Sequence, residues 1–260
     1  MIEDLNPERL QSLLTGEWGR SLTVLGSTES TMDDASVAAR SGAPDGHVVL
    51  ADQQTHGRGA HGRVWESPPG TDLYFSVVAR PKVEPSSMAL VTLATGLAVR
   101  EVAAAWVPAR RVQVKWPNDV WIERRKCAGI LVESRMLGSE VDAVIIGVGL
   151  NVNRSRWPEP LRGIATSLQS ERDERVPLDR GKVFAALLEH IERWVSRLIR
   201  DGAPPLVDAL RPHLALVGER VRWEDGSGTF EGIDGRGAAQ VRTDAGVLTL
   251  HAARIEAASE

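Results

Sequence analysis

Residues 57–65 combine the residue types that bind small anions. The segment holds three glycines, the arginines Arg58 and Arg63, and the large aromatic Trp65. Glycine lets backbone N–H groups approach an anion without obstruction by a Cβ atom, and a guanidinium can grip phosphate or carboxylate through two parallel hydrogen bonds. The sequence therefore predicts a loop that handles phosphate or carboxylate.

The same segment also matches the G-x-G-x-x-G pattern of dinucleotide-binding proteins. That pattern must open a helix, whereas here the chain runs on into Pro68, Pro69 and Gly70. Two prolines and a glycine prevent a helix from continuing at this point. We therefore expect an anion-binding loop and not a Rossmann nucleotide site.

A second cluster is the pentapeptide 115–119, which reads Lys-Trp-Pro-Asn-Asp. Its proline ends a predicted strand and fixes the chain, so Lys115, Asn118 and Asp119 stand at a rigid corner. Lys115 can contact an anion there, and Asp119 can hold Mg²⁺ beside a polyphosphate. The alternative interpretation is an ordinary turn, because Asn-Asp after Pro is also common turn chemistry.

Two further segments place functional groups at predicted strand ends. Glycines at 147 and 149 permit the close approach of a flat ligand, and Asn151 offers both a donor and an acceptor. Residues 126–133 are predicted to be a core strand in which Lys126 is the functional candidate. The chain has only four lysines against many arginines, which indicates a need for a compact ammonium where a lysine does occur.

Hydrophobic periodicity and turn residues predict the elements that carry these clusters. Ser30-Thr31 followed by Asp34 is typical of a capping box with Thr31 as the cap. Helices are expected at 6–14, 31–42, 87–106 and 182–200, and strands at 47–53, 73–79, 112–116, 129–133 and 143–148. Strands outnumber the helices between them, so we predict an α+β fold with a mixed sheet of at least five strands.

The pattern changes after Pro212. Short alternating runs follow, separated by Asp-Gly and similar turns, at 220–223, 228–233, 239–243 and 247–251. This predicts a small all-β domain over residues 213–260, leaning on a larger domain over residues 1–212 because forty residues form only a weak core alone.

Composition limits the classes of function. A formal net charge of −4 gives no electrostatic reason to expect nucleic acid as a partner. The sequence shows neither a signal peptide nor an apolar run of membrane-spanning length, so a cytoplasmic protein is expected. The only cysteine, Cys127, excludes an internal disulfide and is predicted to be a small, half-buried filler. His56 and His61 flank the glycine loop without the further ligands that a metal site needs.

Taken together, the clusters resemble the biotin protein ligases from about residue 22 to the C-terminus. The resemblance rests on the order and spacing of six motifs. These are Ser30-Thr31, Gln53-Gln54 before Gly57-Arg58-Gly59, Gly62-Arg63-x-Trp65, the pentapeptide 115–119, Lys126 with residues 128–131, and Gly147-x-Gly149-x-Asn151. The pentapeptide combined with the glycine-arginine loop is a specific signal, although each piece alone is not.

The resemblance implies a two-step reaction. The carboxylate of biotin attacks the α-phosphate of ATP to give biotinyl-5′-AMP and pyrophosphate, and a lysine of the biotin-carrier domain of a biotin-dependent carboxylase then attacks the mixed anhydride. It also implies a fold like that of class II synthetases with an SH3-like C-terminal domain, ATP and biotin as substrates, Mg²⁺, and a monomer or homodimer. Only about twenty residues precede the matched region, too few for an N-terminal DNA-binding domain.

The resemblance also assigns site residues. The biotin-binding set is Ser30, Thr31, Met32, Gln54, Arg58, Gly59, Ala60, Lys115 and Gly129. The set facing ATP or the adenylate is Arg58, Arg63, Trp65, Asn118, Lys126 and Asn151. Lys115, Arg58 and Arg63 would be catalytic through charge and positioning, with Asp119 as the candidate ligand for Mg²⁺.

Two positions depart from the family pattern. Met32 stands where an Asn commonly follows the Ser-Thr pair, so an apolar wall replaces a polar contact. Ala60 stands where an Arg is usual in Gly-Arg-Gly-Arg, which removes one guanidinium from the loop. We therefore expect this chain to retain an adenylate less tightly than a family member with that arginine.

Two other functions compete with this interpretation. A lipoate or octanoate protein ligase of the same superfamily would need a long apolar tunnel, whereas the Ser-Thr and Gln-Gln placements favour a polar ring. A non-catalytic sensor of biotin or nucleotide would not need Lys115 and both loop arginines.

Overall fold

The computed structural model describes residues 3–81, 84, 87–174 and 176–258. Five α-helices and twelve strands lie in this part of the chain. The helices are α1 Pro7–Leu13, α2 Thr31–Arg40, α3 Met88–Trp106, α4 Arg180–Asp201 and α5 Ala203–Leu210. The strands are β1 Leu22–Leu25, β2 His47–Ala51, β3 Leu73–Ala79, β4 Val112–Lys115, β5 Asp119–Ile122, β6 Arg125–Leu137, β7 Glu140–Leu150, β8 Arg220–Trp223, β9 Gly226–Ile233, β10 Ala239–Thr243, β11 Gly246–Leu250 and β12 Glu256–Ala257.

Seven strands form one mixed sheet in the order β1-β2-β3-β7-β6-β5-β4. Only the β1–β2 pair is parallel, and the other five pairs are antiparallel. The predicted α+β fold with a mixed sheet is therefore confirmed. The sequence analysis missed β5, because its first residue, Asp119, was interpreted as part of a turn.

Helices cover both faces of this sheet. Along β2, Val48 and Leu50 join the large core formed with α3 and α4, whereas Val49 joins a smaller core with Met32 and Ala35 of α2. Successive side chains of a strand point to opposite faces, so this alternation places α2 on one face and the two long helices on the other. All five residues of β2 are buried for this reason.

Helix α3 is long and apolar enough to cross a membrane by length and composition, which corrects the prediction that no such run exists. Its apolar composition has a different explanation in this fold. The helix packs between the sheet and α4, and ten of its 19 residues are buried in the protein core.

Glu101 joins α3 to α4 at the edge of that core. Its carboxylate accepts hydrogen bonds from His190 at 3.0 Å and Trp194 Nε1 at 2.9 Å, and it pairs with Arg193 at 2.7 Å. Burial opposes its ionisation, but the two hydrogen bonds and the arginine charge together hold the pKa of Glu101 below its usual value.

Five antiparallel strands form a second sheet in the order β11-β10-β9-β8-β12, which confirms the predicted C-terminal all-β unit and fits an SH3-like domain. Several hydrogen bonds tie this part of the chain to the larger sheet. Trp116 Nε1 donates to the carbonyl of Gly237 at 3.0 Å, and the amide of Ala215 donates to the carbonyl of Val114 at 2.9 Å. The domain boundary at 212/213 stays a prediction.

The environment of Glu101 predicts an acid-sensitive contribution to stability. Because the folded-state pKa of Glu101 is depressed, its stabilisation is present above the unfolded-state pKa and is lost as pH falls through the folded-state value. Glu101→Gln should therefore lower the free energy of unfolding by about 1 kcal/mol at pH 7, and by progressively less below about pH 4. Urea denaturation at both pH values measures this. The exposed Glu140→Gln serves as the control, and an equal loss at both pH values would contradict the assignment.

Candidate functional site

A cavity of about 420 Å³ lies between the glycine-arginine loop, the start of α2 and the middle of strands β6 and β7. It brings together most of the residues that the sequence analysis assigned to biotin. Its lining residues are Thr31, Met32, Gln54, Arg58, Gly59, Ala60, Trp65, Asn118, Lys126, Gly129, Ile130, Leu131, Gly147, Val148 and Gly149.

A chain of hydrogen bonds forms the polar end of this cavity. Ser76 Oγ donates to Thr31 Oγ1 at 2.9 Å, and Thr31 donates through both its hydroxyl and its backbone N–H to Gln54 Oε1. Gln54 Nε2 in turn donates to Ser67 Oγ at 2.9 Å. The amide of Gln54 therefore fixes the start of α2 against the far end of the loop.

The predicted capping box is wrong. Ser30, not Thr31, occupies the N-cap position of α2, and its side chain makes no capping hydrogen bond. Ser30 Oγ is buried and has no hydrogen-bond partner in the described part of the protein. A buried hydroxyl without a partner is costly, so this atom is available for a ligand.

The walls of the cavity are flat because glycines take the place of side chains. A Cβ atom at Gly147 would overlap the thioether of Met32, and one at Gly129 would lie 2.8 Å from the indole of Trp65. At Gly149 a Cβ would overlap that same indole. The glycines are therefore required by the close approach of these two side chains.

A second cavity of about 720 Å³ lies on the other side of Trp65. Four residues line both cavities and so form the wall between them: Gly59, Ala60, Trp65 and Lys126. The rest of the second cavity is lined by Arg63, Val64, Glu66, Asn151, Arg154, Trp157, Leu161, Ile164 and Ala165. The side chain of Trp157 stacks on the guanidinium of Arg154 at 4.6 Å.

Lys126 holds the central position in this wall. Its ammonium lies 2.6 Å from Asp119 Oδ1 and 5.1 Å from the centre of the Trp65 ring, and its side chain is 28% exposed. Asp119 is buried, so the pair is largely shielded from solvent. The structure therefore presents one oriented ammonium to both cavities.

Lys115 does not occupy the position predicted for it. Its side chain is buried, its ammonium lies 3.9 Å from Asp119 Oδ2 on the far side of that carboxylate, and burial lowers the pKa of Lys115. Within the described residues it lines neither of the two cavities. Lys126 therefore takes the place of Lys115 at the point where the two cavities meet.

The two loop arginines lie at different cavities. Arg58 lines the first and is held by ion pairs with Asp33 at 2.9 Å and Glu133 at 3.1 Å. Arg63 lines the second, and its Nε donates to the carbonyl of Ala60 at 3.1 Å. Neither guanidinium is buried, so both can turn toward an anion that enters.

The two predicted asparagines act mainly as clamps. Asn118 Nδ2 donates to the carbonyl of Ile130 at 2.9 Å. Asn151 Nδ2 donates to the carbonyl of Thr166 at 2.9 Å and more weakly to that of Lys126 at 3.4 Å. Two backbone bonds, from Lys126 N to Ile164 O and from Thr166 N to Lys126 O, complete the attachment of segment 152–171 to β6.

Sequence reasoning missed Arg154 and Trp157, which lie in this segment. Arg154 pairs with Glu66 at 2.9 Å, next to Trp65 in the chain. Neither residue belongs to a periodic element, and only their position shortly after Asn151 could have indicated them.

The candidate metal ligand does not form a preassembled metal site. Within the described residues no group of three or more His, Cys, Asp or Glu side chains could hold an ion. The carboxylate of Asp119 faces two lysine ammoniums instead. Cys127 is fully buried, whereas the sequence predicted a half-buried position.

Comparison with known proteins identifies the family. The model of the biotin/lipoate A/B protein ligase family matches residues 24–151. The biotin--[acetyl-CoA-carboxylase] ligase of Paracoccus denitrificans is 33% identical over 240 residues, which cover 89% of this chain and 98% of that protein. The chain belongs to the biotin protein ligase family. The corresponding ligase of Mycobacterium tuberculosis is 36% identical over 220 residues, covering 83% of this chain and 79% of that protein.

The fold of this biotin protein ligase also has solved counterparts. The structure of biotin protein ligase from Aquifex aeolicus in complex with biotin and ATP superposes with a TM-score of 0.79 at 26% identity, covering 92% of this chain and all of that one. The family resemblance and the fold class predicted from the sequence are thus confirmed.

The clamp formed by Asn151 predicts the behaviour of segment 152–171. Asn151→Ala leaves two buried carbonyl groups without this donor, at a cost of about 1–3 kcal/mol. The segment should then open more often, and trypsin should cleave after Arg156 or Arg162 about tenfold faster. Timed proteolysis with mass spectrometry measures this, with Thr249→Ala in the second sheet as the control. An unchanged cleavage rate would show that the backbone bonds and the ion pairs of Arg154 and Glu171 hold the segment without Asn151.

Proposed function

We propose that this protein is an ATP-dependent biotin protein ligase. It forms biotinyl-5′-AMP from biotin and ATP and then transfers biotin to a lysine of the carrier domain of a biotin-dependent carboxylase. The observation that carries the proposal is the pair of cavities with Lys126 and Trp65 in their common wall. Two substrates bound on either side of that wall would meet at an oriented ammonium.

Biotin fits the first cavity. The unpartnered hydroxyl of Ser30 and the polar groups of Thr31 and Gln54 suit a ureido ring, which has both donors and an acceptor. Met32 and the glycine strands provide an apolar floor for the rest of the ring system and the valeryl chain.

ATP fits the second cavity. Trp157 and Trp65 offer aromatic faces to the base, and the cationic groups of Arg63 and Lys126 suit the phosphates. In this arrangement the carboxylate of biotin reaches the common wall from the first cavity, and the α-phosphate of ATP reaches it from the second cavity.

The first step joins two anions. A carboxylate oxygen of biotin attacks the α-phosphorus of ATP, and the bond to the bridging oxygen of the β-phosphate breaks to release pyrophosphate. Lys126 offsets the repulsion between the anions and stabilises the charge that builds on the phosphorus oxygens, with Arg58 and Arg63 turning in from the loop. Asp119 orients the ammonium of Lys126 through its Oδ1 atom. The ammonium of Lys115 lies near the other carboxylate oxygen, Oδ2, and offsets its negative charge.

No protein nucleophile is needed, because the chemistry depends on positioning and charge. We propose that ATP enters as its Mg²⁺ complex, so that the metal arrives with the phosphates. The residues around Asp119 do not fit a resident metal, since that carboxylate is already paired with Lys126. The cytoplasmic location and the monomeric or homodimeric state stay predictions.

A lipoate or octanoate ligase is the less favoured alternative. Its acyl chain would need an apolar tunnel, whereas the first cavity ends at Thr31 and Gln54. Incubation of the protein with ATP, Mg²⁺, a biotin-carrier domain and either labelled biotin or labelled octanoate separates the two functions. Labelling of the carrier by biotin alone supports the proposal, and labelling by octanoate alone overturns it. Adenylate without transfer would favour a sensor.

Removal of the Lys126 ammonium should abolish the first step. We expect Lys126→Met to slow biotinyl-5′-AMP formation by about 100- to 1,000-fold, as is typical when a preorganised charge that stabilises a transition state is lost. Pyrophosphate release under single-turnover conditions measures this. Lys182→Met, at an exposed position on α4, is the matched control and should retain activity. A larger loss in Lys115→Met than in Lys126→Met would reverse the roles assigned to the two lysines.

The small residue at position 60 should weaken retention of the intermediate. Ala60 lines both substrate cavities, so an arginine there would place a guanidinium beside the adenylate phosphate. We expect Ala60→Arg to slow dissociation of biotinyl-5′-AMP by about tenfold, equivalent to about 1.4 kcal/mol. The control variant is Ala60→Met, whose side chain is long like that of arginine but uncharged. It separates the effect of the positive charge from the effect of side-chain size. An off-rate that does not slow in Ala60→Arg contradicts the prediction.

A further inference from the structure

A third cavity adjoins the biotin cavity. Elements of both sheets and helix α3 form its walls. Its lining residues are Ala60, His61, Ala89, Thr92, Leu93, Trp116, Pro117, Asn118, Ile130, Leu131, Val132, His251, Ala252 and Ala253. Most of these side chains are apolar, and we call this cavity the apolar groove.

The apolar groove and the two substrate cavities have one residue in common. Ala60 lines the biotin cavity, the ATP cavity and the groove. Asn118, Ile130 and Leu131 also line both the groove and the biotin cavity. A group at the inner end of the groove is therefore next to the wall where the acyl phosphate forms.

The groove continues outward into a larger charged groove. That outer groove has a volume of about 1,240 Å³ and shares His61, Ala252 and Ala253 with the apolar groove. Arg63 of the glycine-arginine loop lies along it, together with five charged residues of the C-terminal unit: Arg222, Glu224, Asp225, Arg254 and Glu256.

We propose that the apolar groove is the entry route for the lysine of the acceptor protein. This inference rests on the proposed function, since the reaction has three participants and biotin and ATP account for two of the three cavities that meet at Ala60. The remaining one leads from solvent to the reacting atoms and is bounded by the C-terminal unit.

The chemistry of the groove suits a lysine side chain. Its apolar walls match the four-carbon stem, and the imidazoles of His61 and His251 lie in the same lining. The ammonium must lose a proton before it can attack, and a neutral imidazole can accept it. The amine nitrogen then forms a bond to the acyl carbon of biotinyl-5′-AMP, the bond from that carbon to the phosphate oxygen breaks, AMP leaves, and the nitrogen releases its second proton to solvent.

Blocking the groove with a large side chain should slow biotin transfer without slowing biotinyl-5′-AMP formation. Ala89 on α3 and Ala252 on the C-terminal unit are both exposed and line the groove from two different elements. We expect Ala89→Trp and Ala252→Trp each to slow biotin transfer to the carrier domain by at least about tenfold. Both should leave pyrophosphate release, and the reaction of the adenylate with hydroxylamine, within about twofold of wild type, because hydroxylamine is much smaller than a lysine side chain.

A matched control lies on the same helix. Ala105 is exposed near the end of α3 and lines neither the two substrate cavities, nor the apolar groove, nor the outer charged groove. Ala105→Trp should change neither half-reaction. Because the only native thiol, Cys127, is buried, Ala89→Cys also offers a single accessible thiol for alkylation. Transfer should fall as the size of the attached group increases, while adenylate formation stays constant.

Two results would overturn the proposal. Carrier labelling at the wild-type rate in both plugged variants would place the lysine elsewhere. A parallel loss of pyrophosphate release would assign the groove to the substrates and not to the acceptor. Absence of adenylate in the wild-type protein would instead overturn the proposed function itself, together with the inference that rests on it.

Discussion

The architecture of the site depends on the contact between the Trp65 indole and bare backbone on strands β6 and β7. Gly129 and Gly149 are direct cross-strand partners, so their register creates a patch of sheet without side chains. The indole lies on this patch and divides the space above the sheet into two cavities. A side chain at either glycine would displace the ring, and the wall that both cavities share would be lost.

The same register positions the charges. Asp119 of β5 pairs with Gly129, so the carboxylate, the glycine patch and the indole lie in one row across the sheet. A bulge after Val120 then places Lys126 opposite Trp121, three residues before Gly129. The ammonium of Lys126 can thereby reach back to Asp119 and lie over the indole at once. Lys115 is the residue opposite Asp119 on β4 and is therefore confined behind the carboxylate.

The sequence predicted the motifs that form this row, but it did not predict which of the two lysines lines the cavities and which is buried behind Asp119. Periodicity and turn residues located most strands and the C-terminal β unit, because burial and turns leave local patterns. The exchange of roles between Lys115 and Lys126 could not be predicted in this way. It depends on β5, a four-residue strand whose first residue also suited a turn, and on a bulge that no local pattern records. Arg154 and Trp157 were missed for a related reason, since they lie in a segment without regular structure that hydrogen bonds to β6 hold in place.

The glycine-arginine loop is anchored so that only its middle is free to move. At its base, Asp52 accepts the backbone N–H of Gly70 at 3.1 Å and pairs with the fully buried Arg180 at 2.7 Å. Further along the loop, Gln54 Nε2 donates a hydrogen bond to Ser67 Oγ. Two backbone bonds then cross the loop, from Trp65 N to Gly57 O at 2.8 Å and from Gly59 N to Arg63 O at 2.7 Å, and only the tip at residues 60–62 lies beyond them. Closure over a bound adenylate would therefore move this tip and the exposed side chains of the two flanking arginines, while the glycine patch and the polar end of the biotin cavity stay fixed. A loop that moves over a fixed cavity suits an enzyme that must exclude water during the first step and admit an amine during the second.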